Sequence, residues 1–128
     1  MAHVPIEAVP TLEAAIYLPM VLDVLDNDFA VIDAGEFKLK YRYFHLIDKA
    51  RNNVHEDFKK TKAYLHRHQL KVVRGNSDEL FTEYYFHYQQ AMEVRRYSNI
   101  RLRNKIENLL EYYFKHALYE VKEVWHSE

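Results

Sequence analysis

The stretch Asn76–Arg96, NSDELFTEYYFHYQQAMEVRR, decides how the rest of the chain is read. Gly75 before it can take the left-handed conformation that ends a helix, and Asn76 followed three residues later by Glu79 has the form of a capping box. Phe81, Tyr85, Tyr88 and Met92 then fall on one helical face, so the spacing predicts a helix over 77–96. Within it, Glu83-Tyr84-Tyr85-Phe86 is repeated as Glu111-Tyr112-Tyr113-Phe114. Aligned outward, the two copies also match Asn76 with Asn104 and Glu79 with Glu107. This fits an eroded duplication, or two helices with similar packing duties. If the chain reverses near Tyr97, the two quartets lie side by side at one height and form a single aromatic layer.

Downstream, Leu102, Ile106, Leu109, Tyr113, Ala117, Glu120 and Val124 mark one seam of a helix over about 99–125. Leu110, Phe114, Leu118, Val121 and Trp125 mark an adjacent seam, more apolar surface than one core needs, which points to self-association. Upstream, Thr11 is the expected cap of a first helix over about 12–27 carrying Leu12, Ala15, Ile16, Met20, Val24 and Leu25 on one side. Pro19 either kinks that helix or opens a short second one. The segment from Phe37 alternates like a strand as far as Tyr43. Yet Phe37, Tyr41, Phe44, Ile47, Ala50, Val54, Phe58 and Leu65 also share one helical face, and the length of that pattern favours a long helix over 37–70. Residues 1–10, with two prolines, form an irregular arm. Together these elements predict one all-α domain, an up-down-up-down four-helix bundle with a kinked first helix and a long second one.

Composition supports helices. Only two Gly and three Pro occur in 128 residues, few for a chain that must turn as often as a β-rich protein does. The absence of Cys excludes thiolate chemistry and disulfides and suits a reducing, cytoplasmic setting. The apolar run AAIYLPMVLDVL is broken by Pro19 and Asp23 and lacks a basic flank, which argues against a signal peptide or membrane span. The net charge of −1 hides an asymmetry. Residues 1–36 carry seven acids and no Lys or Arg, so all 18 basic residues lie in the remainder. In the four-helix arrangement the acidic loop after the first helix and the basic turn after the third meet at one end, where they can neutralise each other.

Few constellations carry chemistry. HEDFK has Lys59 where a zinc-binding helix would need its second His. Glu83 with His87 and His116 with Glu120 are spaced to share helical faces, and two such pairs could converge on a metal; each is also ordinary on a solvated helix. Ser77, Ser98 and Ser127 lack a glycine elbow, and Gly35 and Gly75 cannot build a phosphate-cradling loop. The sequence therefore predicts no enzyme, no catalytic residue, no metal site and no cofactor. The sharpest charged feature is RRYSNIRLRNK, whose Arg95, Arg96, Arg101, Arg103 and Lys105 could grip phosphates.

At YLPMVLDVLDND, FKLK and RLRNKIENLLEYY the chain resembles small uncharacterised helical proteins of spore-forming Gram-positive bacteria. The resemblance implies a helical cytoplasmic protein and carries no activity with it. The leading expectation is a non-catalytic bundle acting through protein contacts, a homodimer without a membrane anchor. The alternatives are a nucleic-acid-associated regulator using the 95–105 segment and a metal-binding bundle.

Overall fold

In the computed structural model the described residues are 3–36 and 38–126, with side chains described as far as Val121. A 3-10 turn at Ile6–Ala8 leads into α1 (Val9–Ala34), which runs through Pro19 as one helix. After a turn come α2 (Lys40–Arg67), three strands β1 (Leu70–Ser77), β2 (Phe81–Tyr88) and β3 (Ala91–Ser98), and finally α3 (Asn99–His126). The strands form one antiparallel sheet in the order β1-β2-β3. The fold is α+β, and the all-α four-helix bundle is overturned: most of the segment read as helix 77–96 is β2, its hairpin turn and β3.

The physical reason lies in the side chains of β2. Phe81, Thr82, Tyr84, Tyr85, Phe86 and Tyr88 are all aromatic or β-branched, types that lose rotamer freedom in a helix and pack well on a pleated surface. Burial alternates along the strand, with Thr82, Tyr84 and Phe86 buried and Glu83 and Tyr85 on the opposite face. Met92, assigned to the helical stripe, is 54% exposed on the outer face of β3.

The local signals that favoured a helix have other roles. Gly75 has no left-handed backbone; it lies in β1 at a register shift between Arg74 and Ser77. A Cβ added there would come within 2.6 Å of the Tyr85 ring, so glycine makes room for the aromatic crossing it. Asp78, rather than Asn76, organises the next turn. Its Oδ1 accepts from Leu80 N at 2.8 Å and from Phe81 N at 2.7 Å, which holds the carboxyl below the usual carboxylate range. The β2–β3 hairpin turns through Gln89 and Gln90, with Tyr88 paired to Ala91 and Gln89 at φ 54°. Hairpin turns that match strand twist need a positive φ, normally supplied by Gly or Asn. Here Gln adopts it, and the sequence signal is silent.

The helices pack in a hairpin and a return. Phe29 meets Phe44 at 4.9 Å between ring centroids and Arg51 Nε lies 2.8 Å from Asp26 Oδ1, so α1 and α2 are antiparallel. Lys49 pairs with Glu120 at 2.9 Å, and the Tyr113 hydroxyl donates to Asp57 Oδ2 at 2.6 Å, so α3 runs back along α2 and parallel to α1. β1 continues directly from α2 and β3 leads directly into α3, which places the sheet across the end where α1 begins. Its inner face contributes Leu70, Tyr84, Phe86 and Tyr97 to the core, beside Leu12, Val54, Leu102 and Ile106. Asn99 fixes the corner between sheet and α3: its amide N donates to Leu80 O at 2.9 Å, its Nδ2 to Asp78 O at 2.8 Å, and its Oδ1 accepts from Thr82 Oγ1 at 2.7 Å.

Two further expectations fail for the same topological reason. The chain reverses at Gln89–Gln90, so the two Glu-Tyr-Tyr-Phe quartets occupy a strand and a helix and make no common layer. The α1–α2 turn lies at the pole remote from residues 95–105, so the acidic loop after the first helix does not neutralise the basic turn. Asp26 pairs with Arg51 instead, and Lys40 Nζ donates to the Asp33 carbonyl at 2.7 Å. Phe37, expected to begin the helical stripe, lies outside the described residues, as do the side chains of Val124 and Trp125. Among the described residues, one helical run, Ile6–Ala34, is long and apolar enough to cross a membrane. In this fold its Leu12, Ile16, Tyr17, Leu18, Val21, Leu22 and Leu25 are buried.

Candidate functional site

The packing leaves a groove of about 560 Å³ between α1 and α3, floored by α2. One wall is the first half of α1, where Glu13 and Tyr17 are one helical turn apart and the Tyr17 hydroxyl donates to Glu13 Oε2 at 3.4 Å. The other wall is α3, where Arg101, Asn104, Lys105 and Asn108 follow the i, i+3, i+4, i+7 spacing of one helical face. On the floor, Asp57 accepts from the Tyr113 hydroxyl, while the Thr61 hydroxyl donates to the Asp57 carbonyl at 2.9 Å. Ala14, Leu18 and Leu109 supply the apolar surface between these polar groups.

The phenols around the groove are held neutral. Burial pushes the Tyr113 hydroxyl well above its ordinary value, and the hydrogen bond to the Asp57 carboxylate adds to the effect. Tyr17 is raised by burial and then by Glu13. Tyr97, 6% exposed, is raised by burial with the Glu13 carboxylate beside it, and its hydroxyl has no hydrogen-bond partner of acceptable geometry. Glu13 is thus the carboxylate between two tyrosines, bonded to Tyr17 and close to the Tyr97 hydroxyl without a well-formed bond. Lys105 Nζ lies 5.9 Å from the Tyr17 ring centroid. Among the described residues neither Arg101 nor Lys105 forms an ion pair.

A second hollow of about 240 Å³ opens on the other side of the Asp57–Tyr113 bond, bordered by Asn53, Glu56, Lys60, Tyr112, His116 and Glu120. The bond is therefore a partition between two concavities. It fixes the spacing of α2 and α3 at mid-height.

The structure disperses the five cations singled out in the sequence. Arg95 is on the inner face of β3, over the Phe86 ring at 5.3 Å and 3.4 Å from Glu93. Arg96 is on the outer face, over Phe81 at 4.1 Å. Arg101 and Lys105 line the groove, whereas Arg103, two residues from each, points to another side of α3. The candidate metal pairs are likewise separate: Glu83 and His87 are on the outer face of the sheet, His116 and Glu120 border the smaller hollow, and Glu120 is bound to Lys49. Among the described residues no three His, Asp or Glu side chains are grouped to hold a metal ion. Sequence reasoning missed Glu13, Tyr17, Asp57, Asn104, Asn108 and Tyr113. The four-residue polar face of α3 was readable from spacing; its meeting with Glu13 was not, because that depends on α1 lying parallel to α3.

Comparison with known proteins matches this architecture to a family rather than to an activity. The chain is 30% identical over 113 residues to the uncharacterized protein YhjD of Bacillus subtilis (strain 168), covering 88% of this chain and 94% of that one. That organism is a spore-forming Gram-positive, in keeping with the resemblance seen in the sequence. No solved structure matches the chain. The YhjD protein family matches residues 4–118, through all three strands and most of α3, and the chain belongs to that family.

Proposed function

We propose that this protein is a non-catalytic interaction module, soluble in the cytoplasm, whose contacts pass through the outer face of its sheet and join two copies of the chain. The observation that carries the reading is a row of apolar side chains across all three strands. Val73, Tyr85 and Val94 are cross-strand neighbours on the face opposite the core, with Met92 beside them. Val94 and Met92 are each 54% exposed and Val73 is 36% exposed. In a lone copy this row meets water; against another copy it is covered.

Rotation by a half-turn about an axis along the Val73–Tyr85–Val94 row lays that row on itself. The same rotation sets the edge holding Lys71, His87 and Met92 against the edge holding Glu83 and Arg96 of the partner subunit, so His87 meets the partner's Glu83 and Met92 meets the stem of the partner's Arg96. Three strands about 4.8 Å apart and eight residues long at about 3.4 Å each offer roughly 400 Å² per copy, or about 800 Å² in all. An interface of that size makes a reversible dimer rather than an obligate one. The absence of Cys supports the cytoplasmic setting, and the burial of the apolar residues of α1 supports solubility without a membrane.

Sedimentation across a concentration series tests the proposal. Wild-type protein should show a monomer–dimer equilibrium that Val94→Asp abolishes without unfolding the chain. Strictly monomeric wild type up to about 1 mM, where even a contact of about 4 kcal/mol would be half-populated, would sink it.

A further inference from the structure

We propose that the α1–α3 groove binds a free small molecule with an anionic end, phosphate or carboxylate, and a cationic or hydroxyl end a few bonds away. Its volume of about 560 Å³ lies within the range of roughly 300–1,000 Å³ that small-ligand sites occupy. The two walls differ in chemistry. On α3, Arg101 and Lys105 are like charges one turn apart, a spacing at which they repel each other, and among the described residues no carboxylate neutralises either. The side chains of Asn104 and Asn108 lie between and beyond them, with no hydrogen bond to the described protein. This wall therefore presents two cations and two amide groups with unfilled donors, the set that recognises a phosphate or carboxylate.

The α1 wall is its complement. Glu13 accepts the long 3.4 Å bond from Tyr17 and has the Tyr97 hydroxyl beside it, and its two oxygens keep further lone pairs for an ammonium or hydroxyl group of a ligand. The buried Tyr97 hydroxyl lies beside the same carboxylate without a bond of good geometry to it, so Glu13 can reorient toward a ligand at little cost there. Between the walls, Leu18 and Leu109 offer apolar surface for a short carbon linker. The floor is already tied, because the partly buried Asp57–Tyr113 bond joins α2 to α3. This inference rests on the groove alone and stands or falls separately from dimerisation through the sheet.

The test uses O-phosphoethanolamine, inorganic phosphate and ethanolamine as probes, read by amide chemical shifts of the whole chain. Phosphoethanolamine should shift residues 101–108 and 13–17 saturably, tighter than phosphate alone, with ethanolamine weakest. Arg101→Ala combined with Lys105→Ala should weaken it by about ten-fold or more. Glu13→Gln should weaken phosphoethanolamine while leaving phosphate unchanged, a split that general damage to the fold would not produce. All these positions are at the surface or partly exposed, and an unchanged circular dichroism spectrum checks that the variants fold. Absence of saturation below about 10 mM, or equal binding by the double variant, would overturn the proposal. So would binding to vesicles of phosphatidylethanolamine and phosphatidylglycerol with none to free phosphoethanolamine, since the site would then serve a membrane surface.

Discussion

The same four residues, Glu-Tyr-Tyr-Phe, are a strand at 83–86 and a helix at 111–114, and each copy buries a different pair. In β2 the second and fourth positions face the core, Tyr84 at 5% and Phe86 at 0% exposure. In α3 the third position, Tyr113, is buried at 4%, Phe114 is half-buried, and Tyr112 stands 52% exposed. The quartet has no preference strong enough to impose a conformation. Its neighbours decide: aromatic and β-branched residues flank the first copy, whereas Ile106, Leu109, Leu110 and Lys115 extend the second into a helix-forming context.

The comparison can be broken at its most buried position. Phe86→Ala should cost about 3–5 kcal/mol in denaturant unfolding, because the ring is wholly enclosed and leaves a cavity. The equivalent Phe114→Ala, at a half-buried helical position, should cost less than half as much. Equal losses would mean that the two copies are packed alike.

Alkaline pH probes the tyrosines of both copies together. Tyr84 in the strand and Tyr113 in the helix have raised folded-state values, as do Tyr17 and Tyr97. A raised value favours the neutral phenol in the folded chain, so the stability these groups contribute is fully present below the unfolded value of about 10 and is lost as pH rises above it. Unfolding free energy should therefore fall above pH 10, and absorbance at the phenolate band should show a group of tyrosines ionising only with unfolding. Tyr113→Phe should shallow that decline.

A smaller effect is expected at the turn that makes the first copy a strand. Gln89 holds φ at 54°, a region that costs a residue with a side chain roughly 1 kcal/mol or more. Gln89→Gly should raise stability by about 0.5–1 kcal/mol, measured by the denaturation midpoint, whereas the same change at Gln90 should not. The smallest effect belongs to Tyr112→Ala, which removes an exposed ring and should stay within about 0.5 kcal/mol of wild type.

The sequence was legible where its periodicity is long. Of the expected stripes, Ala50, Val54, Phe58 and Leu65 of α2 and Leu102, Ile106, Leu109, Tyr113 and Ala117 of α3 do face the core and Ile47 is buried, whereas Tyr41 is 77% exposed and Glu120 pairs with Lys49. It was illegible between residues 70 and 98, where short strands offer only a few alternations and those also fit a helical face. The usual punctuation was inverted as well. Among the described residues the non-glycine positions with positive φ are Leu39, Gln69 and Gln89, while neither glycine has one, so the left-handed positions carry none of the residues that ordinarily take them. The groove was partly legible, as a polar face on α3, but its acidic wall belongs to a helix some ninety residues away in the chain.

By itself, then, the sequence determined which residues prefer water and which do not, the two long helices with clear apolar stripes, and the chemistry excluded by a lack of cysteine. Tertiary structure decided that the ambiguous middle paired into a sheet, that the acidic α1–α2 turn came to lie away from residues 95–105, and that Glu13 came to share a groove with Arg101 and Lys105. Local preference differs by only a few tenths of a kcal/mol per residue between helix and strand, whereas enclosing a ring such as Phe86 is worth about 2–3 kcal/mol. Wherever the local preferences are that evenly matched, the partner that covers the side chain chooses the conformation.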